Sequence, residues 1–230
     1  MCPRAQCRFC VGSRLGKGRA GTIAIIDYGA GNLRSVELAF ARLGVEAVVT
    51  ARAADILAAD GVILPGVGAF ADAMTAMRRS GLIPAMREAA ASGRPFLGIC
   101  LGMQVLLDGS EEGPGVEGLG LIPGRVRRLP DCGLKIPHMG WNSFTVQQDS
   151  ALTAGLPAVP YAYFVHSYAC WADDPADVLA VTDYGVPFHS AVQRGSVMGV
   201  QFHPEKSGAD GACLLRNFAA LADKGAAACM

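Results

Sequence analysis

The chain has 230 residues, 51% hydrophobic and 17% charged, with 20 Lys and Arg balanced by 20 Asp and Glu and a pI near 6.9. That composition suits one folded domain with a full core and excludes a disordered chain. With no net field of either sign and no apolar run of bilayer length, nothing points to nucleic acid or a membrane, and a cytoplasmic protein is expected.

Residues 1–20 carry Arg4, Arg8, Arg14, Lys17 and Arg19 and no acidic residue. Cys2, Cys7 and Cys10 also lie there, but three thiols without a fourth ligand make a poor closed zinc site. The segment lacks the amphipathic pattern of a transit peptide and reads as a disordered basic extension before a domain spanning 21–230. The eight cysteines are scattered, which fits a reducing compartment, with Cys132, Cys170 and Cys213 as fillers of the interior.

From Thr22 the pattern becomes regular. Thr22 to Asp27 reads as a strand, Tyr28 to Asn32 as a Gly-rich turn, and Asn32 as a helix cap. Leu33, Val36, Phe40 and Leu43 then share one helical face, which Gly44 ends. Gly29-Ala-Gly31 invites a dinucleotide-binding reading, but the third glycine position holds Arg34, so a tight turn explains it better. Val45 to Thr50 and Gly61 to Leu64 are the next strands, and Met74, Met77 and Leu82 fall on helical segments.

Pro95-Phe-Leu-Gly-Ile-Cys-Leu-Gly-Met-Gln104 runs from a short buried strand, through Cys100 between Gly98 and Gly102, into the first turns of a helix over Met103 to Leu107. G-x-C-x-G at a strand-to-helix turn is the cysteine form of a nucleophile elbow. Beyond Leu121 strands dominate: Arg125 to Leu129, Ser143 to Val146, Tyr161 to Trp171, Val178 to Thr182, Ser190 to Gln193 and Val197 to Phe202, before a closing helix from Asp210 to Ala222. The expected fold is α/β: a mostly parallel central sheet with helices on both faces, flavodoxin-like, with added antiparallel strands in the C-terminal half.

Three stretches converge on one chemistry. Cys100 offers the nucleophile. In Gly199-Val-Gln-Phe-His-Pro-Glu205, side chains two apart on an extended chain share a side, so His203 can act as base and acid with Glu205 orienting it. The glycines of Leu64-Pro-Gly-Val-Gly-Ala69 free peptides that, with the Leu101 amide, can face an oxyanion. His138, His166 and His189 have no acidic residue two positions on, and His189 reads as structural.

The elbow and the closing Gly199–Glu205 stretch resemble the class I (triad) glutamine amidotransferases. Ile25-Ile-Asp-Tyr-Gly-Ala-Gly-Asn-Leu33, Leu64–Phe70, Ile136-Pro-His-Met-Gly-Trp-Asn142, Tyr163-Phe-Val-His-Ser-Tyr168 and His203-Pro-Glu-Lys-Ser207 narrow the resemblance to glutaminase subunits of imidazole glycerol phosphate synthases. It runs from about Thr22 to the last helix; residues 1–20 depart from it.

The resemblance implies hydrolysis of L-glutamine through a thioester on Cys100, with His203 and Glu205 completing the triad. It implies an oxyanion hole at Gly66, Val67, Gly68 and Leu101, and glutamine contacts at Gly68, Gln104, Ser167 and Tyr168. It implies no metal or organic cofactor. The partner it implies is a (β/α)8 cyclase subunit in a heterodimer of histidine biosynthesis, which uses the ammonia to make imidazole glycerol phosphate and an aminoimidazole carboxamide ribotide. Met139, Trp141, Asn142 and Lys206 are the interface candidates. Rival readings are a glutaminase of pyridoxal phosphate or purine synthesis, a non-catalytic subunit of the same fold, and a cysteine peptidase.

Overall fold

The computed structural model describes residues 21–228; the basic segment read as an extension lies outside the described residues. The N-terminal half alternates strand and helix, with two helices in succession before β4: β1 (Ile23–Ile26), α1 (Leu33–Arg42), β2 (Ala47–Thr50), α2 (Ala53–Ala58), β3 (Gly61–Gly66), α3 (Phe70–Ser80), α4 (Ile83–Ala91), β4 (Phe96–Cys100) and α5 (Leu101–Gln104). The C-terminal half is mostly strand: β5 (Gly109–Ser110), β6 (Gly124–Arg128), β7 (His138–Ser143), β8 (Thr145–Val146), β9 (Tyr161–His166), β10 (Tyr168–Ala172), β11 (Val178–Asp183), β12 (Pro187–Arg194) and β13 (Val197–Val200). The long α6 (Gly208–Ala228) follows.

An eleven-stranded sheet runs β2-β1-β3-β4-β13-β12-β10-β6-β5, with β11 and β8 joined beside β12. From β2 to β13 every pairing is parallel; from β13 through β12 and β10 to β6 it is antiparallel. The inner parallel strands β1, β3, β4 and β13 are buried at every position because both faces are covered, while the edge strand β2 is partly exposed and ends in Thr50. In β1, Ile23 and Ile25 pack with Phe40 of α1 and Phe218 of α6, while Ala24 and Ile26 pack with Met74 and Met77 of α3 on the opposite face. This is the expected α/β fold with antiparallel strands added at one side.

Local differences have physical causes. Asn32 makes no side-chain bond to a helix N–H; its Oδ1 accepts the Ser35 hydroxyl instead, 2.8 Å away. Short α2 has no strong apolar period to announce it, only Ile56 being buried. Cys170 is a buried filler as expected, but Cys132 is exposed and Cys213 only half-buried. The stretch read as one strand from Tyr161 to Trp171 is two. β9 pairs with β7 in a separate two-stranded ribbon and β10 with β6 and β12 in the main sheet, so the chain changes partners at Ser167. That break helps form the site.

Candidate active site

β3 and β4 run parallel with Gly66 beside Cys100, so the turns leaving both strands open at the same end of the sheet. Ligands of such sheets bind beyond the carboxyl ends of the strands. Cys100 sits at φ 56°, ψ −113°, the only described non-glycine residue with positive φ. Such a conformation costs on the order of 1–3 kcal/mol and persists only where the surroundings enforce it. Here backbone packing enforces it. A Cβ on Gly98 would lie 2.5 Å from the Gly102 carbonyl oxygen, and one on Gly102 would run into the carbonyl oxygen of Leu64.

The helix expected after the elbow is a single turn, Leu101–Gln104. Leu106 and Leu107 then bond three residues back, to Met103 and Gln104 carbonyls, a tighter winding that ends it. Individual amides such as that of Leu101, rather than a long helix dipole, are therefore the donors available at the sulfur.

Facing the elbow is a cleft of about 390 Å³ lined by Val67, Gly68, Cys100, Leu101, Gln104, Glu112, Pro137, Val165, His166, Ser167, Tyr168 and His203. The structure thus gathers nearly every residue singled out for chemistry or glutamine contact. Gly66 lies just beneath; a Cβ there would meet the Gly102 nitrogen at 2.8 Å and the Leu101 Cβ at 2.9 Å. Gln104 borders the cleft, but its Nε2 already donates to the Tyr168 carbonyl (2.9 Å) and to Gln201 Oε1 (3.1 Å).

His203 Nδ1 lies 2.9 Å from Glu205 Oε1, and both side chains are almost wholly buried. They meet through a 3-10 turn over Pro204–Lys206, not along an extended strand as the spacing suggested. Nε2 makes no hydrogen bond of its own, yet the Cys100 sulfur lies near enough to act on the ring. Burial opposes charge on His203, but the Cys100 sulfur and the Glu205 carboxylate outweigh it and push the pKa up to about 9. At neutral pH the ring is an imidazolium facing the sulfur, the form that can deliver a proton.

Several groups at the site carry no sequence signal. Glu112 supplies the one acidic side chain lining the cleft, one oxygen accepting the Phe70 N–H at 2.8 Å. Its position comes from packing of a loop, so spacing could not reveal it. Gln201 Nε2 reaches toward the Cys100 sulfur at 3.8 Å. The Tyr28 hydroxyl is buried without a partner close to Gly66, its pKa raised by burial and then by Cys100.

The other histidines separate clearly. His189 Nδ1 accepts the Ala172 N–H at 2.9 Å, a structural bond, as expected. His138 and His166 form a buried pair, 3.0 Å between Nδ1 and Nε2, with His166 lining the cleft and His138 behind it.

The ribbon of β7 and β9 turns Met139 and Trp141 outward, 58% and 57% exposed. Asn142 points the other way, its Nδ2 donating to the Asp183 carbonyl and its Oδ1 accepting the Ser143 N–H. Lys206, next to the triad, places its ammonium 5.8 Å from the Tyr163 ring centroid on the outward side. Among the described residues no group of three or more His, Cys, Asp or Glu is set to hold a metal, and no helix is long and apolar enough to cross a membrane.

Comparison with known proteins gives the family and the fold. The family model "Glutamine amidotransferase class-I" matches residues 24–221. The imidazole glycerol phosphate synthase subunit HisH of Moorella thermoacetica is 53% identical over 199 residues, covering 86% of this chain and 94% of its own. Its counterpart in Deinococcus radiodurans is 51% identical over 200 residues, covering 86% and 93%. Among solved structures, a glutamine amidotransferase superposes with TM-score 0.69 at 22% identity, covering 88% of this chain and 99% of that one. PurLQS of Thermotoga maritima does so with TM-score 0.68 at 20% identity, covering 86% and 97%; both establish likeness of fold.

Proposed function

The chain belongs to the class-I glutamine amidotransferases, and from that membership we propose a residue-by-residue reading of its cleft. The protein is a glutaminase that supplies ammonia for imidazole glycerol phosphate synthesis in the histidine pathway. Cys100 attacks the side-chain amide carbon of glutamine as the thiolate paired with the imidazolium of His203. The oxyanion is held by amides of the Gly66-Val67-Gly68 turn and by the N–H of Leu101, an arrangement typically worth about 10²- to 10³-fold per donor. His203, already an imidazolium, protonates the departing nitrogen, and ammonia leaves a γ-glutamyl thioester on Cys100. The now neutral ring then takes a proton from water, which attacks the thioester and releases glutamate. Glu205 fixes the ring's orientation and stabilises its charge throughout.

The remaining lining suits one free amino acid. Glu112 offers a carboxylate to the α-ammonium group, and Gly68, Ser167 and Tyr168 offer backbone and side-chain partners to the α-carboxylate. Gln104 braces that wall from within. No organic cofactor enters any step.

Ammonia released into water is protonated and lost as a nucleophile. The relatives' description as subunits supports a heterodimer with a cyclase partner that consumes ammonia on site, forming imidazole glycerol phosphate and an aminoimidazole carboxamide ribotide. The outward apolar pair Met139 and Trp141, with Lys206 beside the triad, is the docking face this reading uses.

The observation that carries the reading is the buried His203–Glu205 pair aimed at a sulfur on a strained elbow. The test is glutamate release by the chain mixed with a cyclase subunit, with and without the cyclase substrate. Cys100→Ala is expected to abolish glutamine-dependent turnover while the assembled synthase still uses free ammonia. Glutamate release by that variant would overturn the assignment of the nucleophile.

A further inference from the structure

From the ribbon to the cleft, which His166 and Tyr168 line, polar groups form an unbroken chain. Asn142 Nδ2, which can only donate, lies 3.3 Å from His138 Nε2. His138 Nδ1 lies 3.0 Å from His166 Nε2, and His166 Nδ1 lies 2.9 Å from the Tyr168 carbonyl oxygen, which can only accept. The two fixed ends leave one consistent assignment. Each imidazole is neutral, carries its proton on Nδ1 and accepts at Nε2. Burial favours this, holding His138 down to about 4, and His166 to about 3 with help from the neighbouring His138.

Packing locks the rings in that arrangement. His138 stacks against Tyr184 (centroids 4.0 Å apart) and Phe164 (4.8 Å), and His166 meets Phe188 edge-on at 5.0 Å. The chain ends on the Tyr168 carbonyl, which also receives Gln104 Nε2 at 2.9 Å. Gln104 in turn bonds Gln201, whose amide reaches toward the Cys100 sulfur. At Ser167 the backbone leaves the ribbon for the main sheet; its carbonyl accepts the Leu129 N–H at 2.9 Å and Tyr168 pairs with Arg128, and the side-chain bonds add to that backbone support.

The geometry points to His138 and His166 as positioning residues for the glutamine pocket, a neutral, tautomer-locked pair that sets the Ser167–Tyr168 wall and the Gln104 brace. This rests on the proposed glutaminase reading and deepens it. Neither ring touches the reacting atoms; they act through the Tyr168 carbonyl. A wall displaced by a fraction of an ångström weakens substrate binding before it alters the chemistry at Cys100.

Two isosteric replacements at one position divide the chain. Asn at 166 places its amide where Nδ1 was, keeping the bond to Tyr168 and losing His138. Gln at 166 places its oxygen where Nε2 was, keeping His138 and losing Tyr168. In the complex with the cyclase subunit, His166→Gln is expected to raise the KM for glutamine about tenfold with kcat within about threefold. His166→Asn should stay within about threefold of the wild-type KM. His138→Phe keeps the stacking and removes both of its hydrogen bonds, and should raise KM between these values.

Ammonia-dependent turnover and thermal melting of each variant report folding independently of the pocket. Unchanged glutamine KM in both His166→Gln and His138→Phe overturns the inference. So does a fall in kcat that merely tracks lost folded protein, or equal KM values for Asn and Gln at 166. A wild-type complex that releases no glutamate overturns the glutaminase reading itself, and this inference with it.

Discussion

The wall of the cleft that carries Cys100 is held by close backbone-to-backbone packing, whereas the facing wall at Ser167 and Tyr168 adds side-chain hydrogen bonds to the edge of its ladder. At the elbow, Gly98, Gly102 and Gly66 bring β3, β4 and the turn after them closer than any Cβ allows. Across the cleft, the chain changes sheets, and Gln104 and the His138–His166 pair bond the Tyr168 carbonyl beside the backbone bonds from Leu129 and Arg128. The first kind of support is all-or-none, because a collision with a carbonyl oxygen cannot be partly relieved. The second is graded, because each bond can be lost singly. A nucleophile in a strained conformation needs the former, and a pocket next to a proposed docking face can use the latter.

The largest effect should come from breaking the rigid wall. Gly102→Ala forces a Cβ into the Leu64 carbonyl oxygen and should destabilise the fold by about 4 kcal/mol or more, read from denaturant unfolding. Gly81→Ala is the control: its φ is 70°, but nothing lies within 4 Å of the added carbon. Strain alone should then cost about 1–2 kcal/mol. Equal losses in the two variants would mean that the elbow is held by conformational preference and not by close packing.

The same contrast decides what the sequence could reveal. The rigid wall is local: strand, cysteine and two glycines lie within a few residues, and the steric demand that selects glycine is written at the positions that need it. The parallel strands were equally legible, since burial on both faces leaves continuous apolar runs such as Ile23–Ile26. The graded wall is long-range. Nothing in Tyr161–Trp171 marks Ser167 as the point where the chain leaves one sheet for another, because both strands carry similar apolar and aromatic residues. His138 and His166 lacked an acidic neighbour and so looked unequipped, yet their partners are an amide, a carbonyl and each other across 28 residues. Glu112 was invisible for the same reason.

His203 joins the two kinds of support, and Glu205→Gln tests how. Removing the carboxylate removes one of the influences holding the ring's pKa near 9, so that pKa should fall. The alkaline limb of glutamine kcat/KM should move to lower pH by about one unit or more, and the plateau should drop about 10²-fold. The stability consequence has a definite sign. A folded pKa raised above the unfolded value of 6.5 contributes stability that is present in full below pH 6.5 and is lost as pH rises through about 9. Melting of the wild type should therefore weaken across that window, and Glu205→Gln should flatten the decline. An unshifted limb would mean that the carboxylate orients the ring without tuning it.

The smallest expected effect on the isolated chain lies on the outer face of the ribbon, where Trp141 stands 57% exposed with its ring edge-on to Tyr163 at 6.3 Å. An indole that finds so little cover in its own fold contributes little to stability, so Trp141→Ala should shift unfolding by no more than about 0.5 kcal/mol. Exposed aromatic side chains with few rotamers are, however, the groups that anchor interfaces when a partner covers them. On the docking face proposed above, the same substitution should weaken cyclase binding by about 2 kcal/mol, roughly 30-fold in Kd by titration calorimetry. Met139→Ala, its equally exposed neighbour two positions back, should cost less, because a flexible thioether loses more freedom on burial. If Trp141→Ala instead destabilises the free chain and leaves Kd unchanged, the ribbon's outer face is part of the fold's own support, and the separation between a rigid catalytic wall and an adaptable recognition wall fails there.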